Sequence, residues 1–280
     1  MPSLDPLARF DRILVASDGS NFSDGAIRLG IDLGVKAKAR LTVMTMVITN
    51  PEYEALAPAL VAKKEVEAGQ HLDGLVAKAR EAGLDCQPML CRGDEPAREI
   101  AEAARKINAD LVIMGRRGKR GLARLMVGDA VVKVIGKGPC SVLVAPQAAQ
   151  MWTERILLAT DGSRFGDAAA VSAGMIARCC PTAVTVVTAL VPSHNEKRQQ
   201  EGKAAMERVV AHLQSQGIDA VGEANLGEPD QVIVDCAQKC GAGLIVTGSH
   251  GRTGFDKVLV GSVSERVIGK AACPVLVVKA

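Results

Sequence analysis

Two octapeptides decide how this chain is read: Ile13-Leu-Val-Ala-Ser-Asp-Gly-Ser20 and Ile156-Leu-Leu-Ala-Thr-Asp-Gly-Ser163. Each passes from an apolar, β-prone run into an Asp-Gly turn, which marks a strand ending at a sheet rim. Each is followed, late in its half, by a glycine loop. The second loop is Gly248-Ser-His-Gly251, nine residues, then Gly261-Ser262; the first is Gly115-Arg-Arg-Gly118, nine residues, then Gly128-Asp129. The chain is therefore a duplicated domain. Its copies differ at the residue that would meet an anion, Ser262 in one and Asp129 in the other.

Length and composition agree with duplication. A chain of 280 residues fits two domains of the usual size, here 1–146 and 154–280 with 147–153 as linker. Each copy is long enough to bury a sizeable core. With 48% apolar and 23% charged residues, the sequence is that of a globular protein. No apolar run reaches the roughly 18 residues of a membrane span, and Met1-Pro-Ser-Leu-Asp-Pro6 lacks a signal-peptide core. Eight cysteines without compact regular spacing read as reduced thiols. The expectation is a soluble, cytoplasmic protein with no membrane partner.

The first 146 residues hold 21 Lys/Arg against 18 Asp/Glu, and the remainder holds 13 of each. Arg116, Arg117, Lys119, Arg120 and Arg124 cluster in the first glycine loop. A nucleic-acid reader shows a wider basic field and, for single strands, aromatic stacking platforms. Six aromatic residues in the whole chain make nucleic acid an unexpected partner.

Short β-branched runs alternate with longer amphipathic stretches, the mark of βα units around a parallel sheet. Strands are predicted at 12–16, 41–47, 86–90, 111–114 and 141–144, and again at 155–159, 184–189, 220–224, 244–247 and 275–278, with helices between. Pro96 and Pro229 each follow a Glu and suit the first turn of a helix. The first half carries about ten extra residues around 50–69, read as a longer loop or a helix extension.

Asp18 and Asp161 follow first strands, and the glycine loops follow fourth strands. Both lie on the carboxyl rim, where open parallel sheets bind ligands. A carboxylate there accepts hydrogen bonds from ribose hydroxyls, and backbone amides face phosphates. The plain alternative makes each Asp a turn residue in Asp-Gly-Ser. Gly248 and Gly251 permit close backbone approach. Ser262 is read as the N-cap of the last helix, with Glu265 three residues on, the capping-box spacing. The Ser262 and Ser264 hydroxyls would donate to phosphate; alternatively Ser262 only caps. No Gly-Lys-Ser/Thr follows, so this is not a Walker A loop. In the first loop Asp129 replaces Ser262 and Val131 replaces Ser264. Asp is a good N-cap, and its carboxylate would occupy the amides a phosphate needs. Arg116 and Arg117, in place of Ser249 and His250, offset that repulsion or pair with Asp129. The first half is expected to bind weakly or not at all.

Cys236 and Cys240 have a metal-compatible helical spacing. Ala103 and Ile107 at the matching positions favour core packing, and no metal site is expected. His71, His194, His212 and His250 form no triad with Ser or Cys, and only His250 falls in the candidate pocket. No catalytic residue is assigned.

The repeated Ala-x-Asp-Gly-Ser segment with the G-2x-G-9x-G-S loop resembles the universal stress protein family in its tandem form, over nearly the whole chain. The resemblance implies two Rossmann-like α/β domains, each a doubly wound five-stranded parallel sheet in order 3-2-1-4-5. It also implies pseudo-two-fold pairing through the last strands, within the chain or in a homodimer. Members that keep the loop bind ATP or AMP, with or without Mg2+. Carried onto this chain, Ala159, Thr160 and Asp161 would meet adenine and ribose, and Ala189 would line the adenine pocket. Gly248, Ser249, Gly251, Gly261, Ser262, Val263 and Ser264 would hold phosphates, with His250 beside them. Asp129 departs from the pattern and puts the first half in doubt. The resulting expectation is a nucleotide-binding stress-response protein, a regulator or binder. Three alternatives stand beside it. One is a nucleotide-independent scaffold, and another is a slow ATP hydrolase. The third, an ATP-pyrophosphatase, would want Ser-Gly-Gly-x-Asp-Ser, and Ser17-Asp-Gly-Ser20 lacks the paired glycines.

Overall fold

The structure, a computed structural model, describes residues 10–117, 127–251 and 260–280. Gly118, Lys119, Arg120, Arg124, Arg252, Lys257 and the Met1–Pro6 stretch lie outside the described residues. Two compact units divide the chain, one built on Phe10–Cys140 and Val144–Ala149, the other on Gln150–Ala280 with Ser141–Leu143.

In the first unit β1 (Arg12–Ala16), β2 (Arg40–Ile48), β3 (Cys86–Gly93) and β4 (Leu111–Gly115) lie in the order β3-β2-β1-β4, with the end of β5 (Ser141–Ala145) beyond β4. All the registered pairs are parallel, for example Val15 opposite Val43 and Ile113. Strands covered on both faces must be apolar throughout rather than alternating, and every residue of β4 is buried. The helices are α1 (Asp24–Ala37), α2 (Pro51–Leu56), α3 (Pro58–Glu81), α4 (Pro96–Lys106) and α5 (Asp129–Lys137). The extra residues at 50–69 are thus helical: Asn50 Oδ1 accepts the Tyr53 amide at 2.7 Å and caps α2, and Pro51 and Pro58 open α2 and α3.

The second unit repeats the plan with β6 (Arg155–Ala159), β7 (Ala183–Leu190), β8 (Ala220–Leu226), β9 (Leu244–Gly248) and β10 (Val275–Val278), in the order β8-β7-β6-β9-β10. Its helices are α6 (Arg164–Cys179), α7 (Glu196–Ser215), α8 (Pro229–Lys239) and α9 (Ser262–Lys270). The expected 3-2-1-4-5 order therefore holds in both halves. Winding reverses between β6 and β9, so the rim above those two strands is the switch point where ligands of such sheets sit. Gly162 turns the chain there with φ +75°, as Gly19 does in the first unit with φ +71°; a side chain is strained in that region. Among the described residues no helix is long and apolar enough to cross a membrane.

Candidate functional site

Above β6 the chain makes a tight Asx turn: Asp161 Oδ1 accepts the Ser163 amide at 3.0 Å, and Thr160 Oγ1 accepts that of Gly162 at 3.2 Å. Ser163 Oγ then accepts the Gly166 amide at 3.1 Å and caps α6. Asp161 is thus a turn residue, yet its second oxygen faces the glycine loop: a Cβ built at Gly251 would stand 2.9 Å from Asp161 Oδ2. Gly251 is glycine because the backbone passes this carboxylate closely. At Gly248 a Cβ would strike the Phe165 backbone at 2.8 Å. The loop is stapled from beneath. The Ser249 amide donates to Val278 O, Ser249 O accepts from Gly261, and Ser264 Oγ donates to Gly248 O at 2.8 Å.

These elements enclose a cavity of about 480 Å³, within the range of small-molecule sites. It brings together Ala159, Thr160, Asp161 and Ala189 on one side with Gly248, His250, Gly251 and Gly261 on the other, and Ser262, Val263 and Ser264 at the head of α9. Ser249 is the exception: it is buried, does not line the cavity, and has its amide committed to β10. Its hydroxyl is hydrogen-bonded to His250 Nδ1 at 3.1 Å. The Ser264 side chain is likewise buried and its hydroxyl proton committed, so what it offers to a ligand is not that proton.

Two further corrections concern the helix starts. Ser262 is not the N-cap: Gly261 is, in extended conformation (φ −61°, ψ 136°), and Ser262 is the first helical residue. Gly128 caps α5 in the same way, which makes Asp129 a first-turn residue. Its carboxylate does not fold back over the amides of α5; it is 80% exposed and meets Lys133 Nζ at 2.9 Å. With no side chain on Gly261, the first-turn amides of α9 head the helix without a side-chain cap, at the positive end of its dipole.

Sequence reading missed Val187, Thr188, His194, Arg198, Gly202 and Ile233, which also line the cavity. His194 is among them, whereas the sequence places only His250 in the pocket. The usable signal was topological: the segment after β7 borders the switch point, so α7 had to overhang it.

The first unit differs most at Asp18. Its Oδ1 accepts three donors, Ser20 N–H at 3.0 Å, Ser20 Oγ at 2.6 Å and Ser23 Oγ at 2.8 Å. Ser17 Oγ is hydrogen-bonded to His71 Nε2 at 2.8 Å. Gly166 and Ala205 occupy the positions of Ser23 and His71 in the second unit. Asp18 is therefore held by donors of its own turn. The Arg116 guanidinium is held below its usual pKa by burial and by neighbouring Arg117.

Cys86, Cys180 and Cys236 are buried in the core, and Cys179 is exposed. Burial, then Glu223, pushes the Cys236 thiol up to about 12, and burial pushes Cys86 and Cys273 up to about 11. Such groups stay protonated at neutral pH, whereas metal ligation and nucleophilic attack need thiolates. Among the described residues no group of three or more His, Cys, Asp or Glu stands close enough to hold a metal ion.

Two doubly wound parallel sheets in one chain, each with a glycine loop leading into a helix at its switch point, define a tandem α/β protein of the Rossmann-like class. The pattern of the universal stress protein family matches residues 9–146 and 153–279, and the chain belongs to that family. A universal stress protein of Mycolicibacterium smegmatis is 28% identical over 289 residues, covering 95% of this chain and 96% of that protein. Universal stress protein MJ0531 of Methanocaldococcus jannaschii is 44% identical over 85 residues, 30% of this chain; the match spans only 50% of that relative's length. The crystal structure of a universal stress protein from Archaeoglobus fulgidus has the same fold, with a TM-score of 0.78 at 21% identity, over 96% of this chain and 98% of that one.

Proposed function

We propose that this protein is a cytoplasmic regulator or binder of the stress response that holds one adenine nucleotide, ATP or AMP, in its second half. The observation that carries the reading is the second-unit cavity, in which the Asp161 carboxylate and the first-turn amides of α9 face one space. The residues suit such a ligand. Asp161 Oδ2 is the acceptor for ribose hydroxyls, Ala159, Val187 and Ala189 give an apolar wall for the base, and Gly251 and Gly261 let phosphates reach backbone N–H groups. Asp161 is the single carboxylate among the described lining residues. Mg2+ would therefore be held chiefly by phosphate oxygens and water, as that ion prefers.

The test is mass spectrometry of small molecules released from the purified chain, followed by calorimetry of the emptied protein with ATP, AMP and adenosine. One adenine nucleotide per chain is the expected result. Two equal sites overturn the assignment to the second half, and no binding of any of the three overturns the nucleotide reading.

A further inference from the structure

We propose that Arg198 is the side chain that reads the phosphate charge of the ligand in the second-unit cavity; this rests on the nucleotide reading above. Arg198 lies in the first turn of α7, which Asn195 caps by accepting the Arg198 amide at 2.9 Å. Its side chain is exposed and lines the cavity with His194. Among the described residues its guanidinium has neither a carboxylate nor a carbonyl partner. The other described arginines of this unit are all engaged: Arg155 with Thr185, Arg164 over the Phe165 ring, Arg178 with Gln216, Arg208 with Asp167 and Arg266 with Asp230. An uncommitted guanidinium on a cavity wall that otherwise carries one carboxylate is a place for an anion. Its planar fork binds phosphate bidentately, which amides at a helix start do not.

The duplication supplies the control. Helices α3 and α7 end at the same distance before Gly83 and Gly217, and counting back from those turns sets Lys64 opposite Arg198. Both are cations at one helical position, but Lys64 is taken: its Nζ lies 3.3 Å from Tyr53 Oη and 4.9 Å above the Tyr53 ring. Tyr53 belongs to α2, which the second unit lacks. The extra helix thus ties down in one half the charge that the other half leaves available.

The experiment titrates ATP, adenosine and inorganic tripolyphosphate into the full chain and into Arg198→Ala, Arg198→Lys and Lys64→Ala. Arg198→Ala should weaken ATP and tripolyphosphate by about tenfold or more, the loss of a charge-assisted pair, and leave adenosine unchanged. Lysine should restore part of the loss, as a point charge without the fork. Lys64→Ala should change nothing. Because the Arg198 guanidinium has no partner among the described residues, melting temperature should stay at the wild-type value. Wild-type affinity for both polyphosphates in Arg198→Ala overturns the role of Arg198 while the nucleotide reading stands. A wild-type chain that binds tripolyphosphate in an Arg198-dependent way but not adenosine or ATP supports Arg198 and removes the nucleotide. Failure of the wild type to bind either polyphosphate overturns both.

Discussion

Asp230 Oδ2 accepts a hydrogen bond from Lys270 Nζ at 2.6 Å, while its Oδ1 accepts one from Arg266 Nε at 2.8 Å. The carboxylate is 5% exposed and sits in the first turn of α8. Both cations stand on α9, so this one side chain fixes the helix whose start borders the cavity. Ala97, Lys133 and Lys137 occupy the three positions in the first unit, where Lys133 turns instead to Asp129 and Glu95. The buried clamp has no counterpart at these three positions of the first unit.

Removing the clamp from its two sides should have unequal consequences. In Asp230→Ala the cations, about half exposed, return to water, and the expected loss is about 2 kcal/mol. In Arg266→Ala/Lys270→Ala the carboxylate stays buried without partners, and the expected loss is about 3–5 kcal/mol. Denaturant unfolding of the two variants measures this; a larger loss in Asp230→Ala contradicts it. Burial raises the Asp230 pKa, but the hydrogen bonds from Lys270 and Arg266 outweigh it and hold the group below its usual value. A depressed carboxylate contributes stability above its unfolded pKa and loses it as pH falls through the folded one. The gap between wild type and Asp230→Ala should therefore close in acid.

Asp110 titrates the other way. Its Oδ2 accepts the amides of Asp11 and Arg12 at 2.8 and 3.0 Å, and its Oδ1 is buried without a hydrogen-bond partner. Burial raises the pKa from 3.8 to about 6, against the pull of those amides. A raised folded pKa means the proton is held more tightly in the native state. The contribution is full below 3.8 and lost as pH rises through 6. Asp110→Asn should accordingly become more favourable relative to wild type between pH 4 and 7, most steeply below 6. A difference in melting temperature that stays constant over that range counts against the assignment. Gly243 stands at this position in the second unit, and a Cβ there would lie 2.9 Å from Trp152 Cβ; the indole-bearing residue takes the space.

The strands were legible because burial on both faces demands uninterrupted apolar runs, and β1, β6 and β10 begin and end where those runs do. At the sheet edges the runs stop early. β3 continues through Arg92 to Gly93 and β8 through Asn225 to Leu226, held by pairing with β2 and β7 rather than by hydrophobicity. Asp161 and the glycines were legible because turn and loop chemistry is local. The N-cap was misplaced by one residue because Ser-Val-Ser-Glu fits the capping-box spacing regardless of whether Gly261 adopts the cap conformation. Arg198 and the lock on Asp18 were invisible, since one depends on how a helix overhangs the sheet and the other on hydroxyls that gather only in the folded turn.

Two substitutions in the second loop should separate the phosphate and ribose sides of the cavity. Ser262→Asp copies the first unit and places a carboxylate at the head of α9, where it repels phosphate and offsets the dipole. ATP affinity should fall by about tenfold, with adenosine unaffected. Gly251→Ala puts a methyl 2.9 Å from Asp161 Oδ2. The carboxylate must swing away, so adenosine and ATP should weaken together. Calorimetry with both ligands reads the pattern. Equal losses of both ligands in Ser262→Asp, or an ATP-only loss in Gly251→Ala, reverse the two sides.

Turnover is the remaining discriminator between binder and enzyme. Rapid phosphoryl transfer to water needs a positioned water, a base or orienting group, and cations at the γ-phosphate. Among the described lining residues the side chains suited to activate water are Asp161, His194 and His250. Asp161 is held in its turn by the Ser163 amide, on the side proposed for ribose. His250 has its Nδ1 engaged with Ser249 Oγ at 3.1 Å and its ring packed 5.1 Å from that of Phe165. That packing fixes the imidazole as part of the loop wall. His194 lies just before α7, and among the described residues no carboxylate orients its imidazole as a base. Phosphate release with ATP and Mg2+ should therefore run far below the typical enzyme rate of about 10 per second. Bound nucleotide should show itself instead as stabilisation, about 4 kcal/mol when free ligand exceeds its dissociation constant a thousandfold. Both quantities are measured on one preparation, by phosphate assay and by melting shift. Release at several per second that His250→Ala abolishes would make this protein an enzyme, with the imidazole acting on the attacking water.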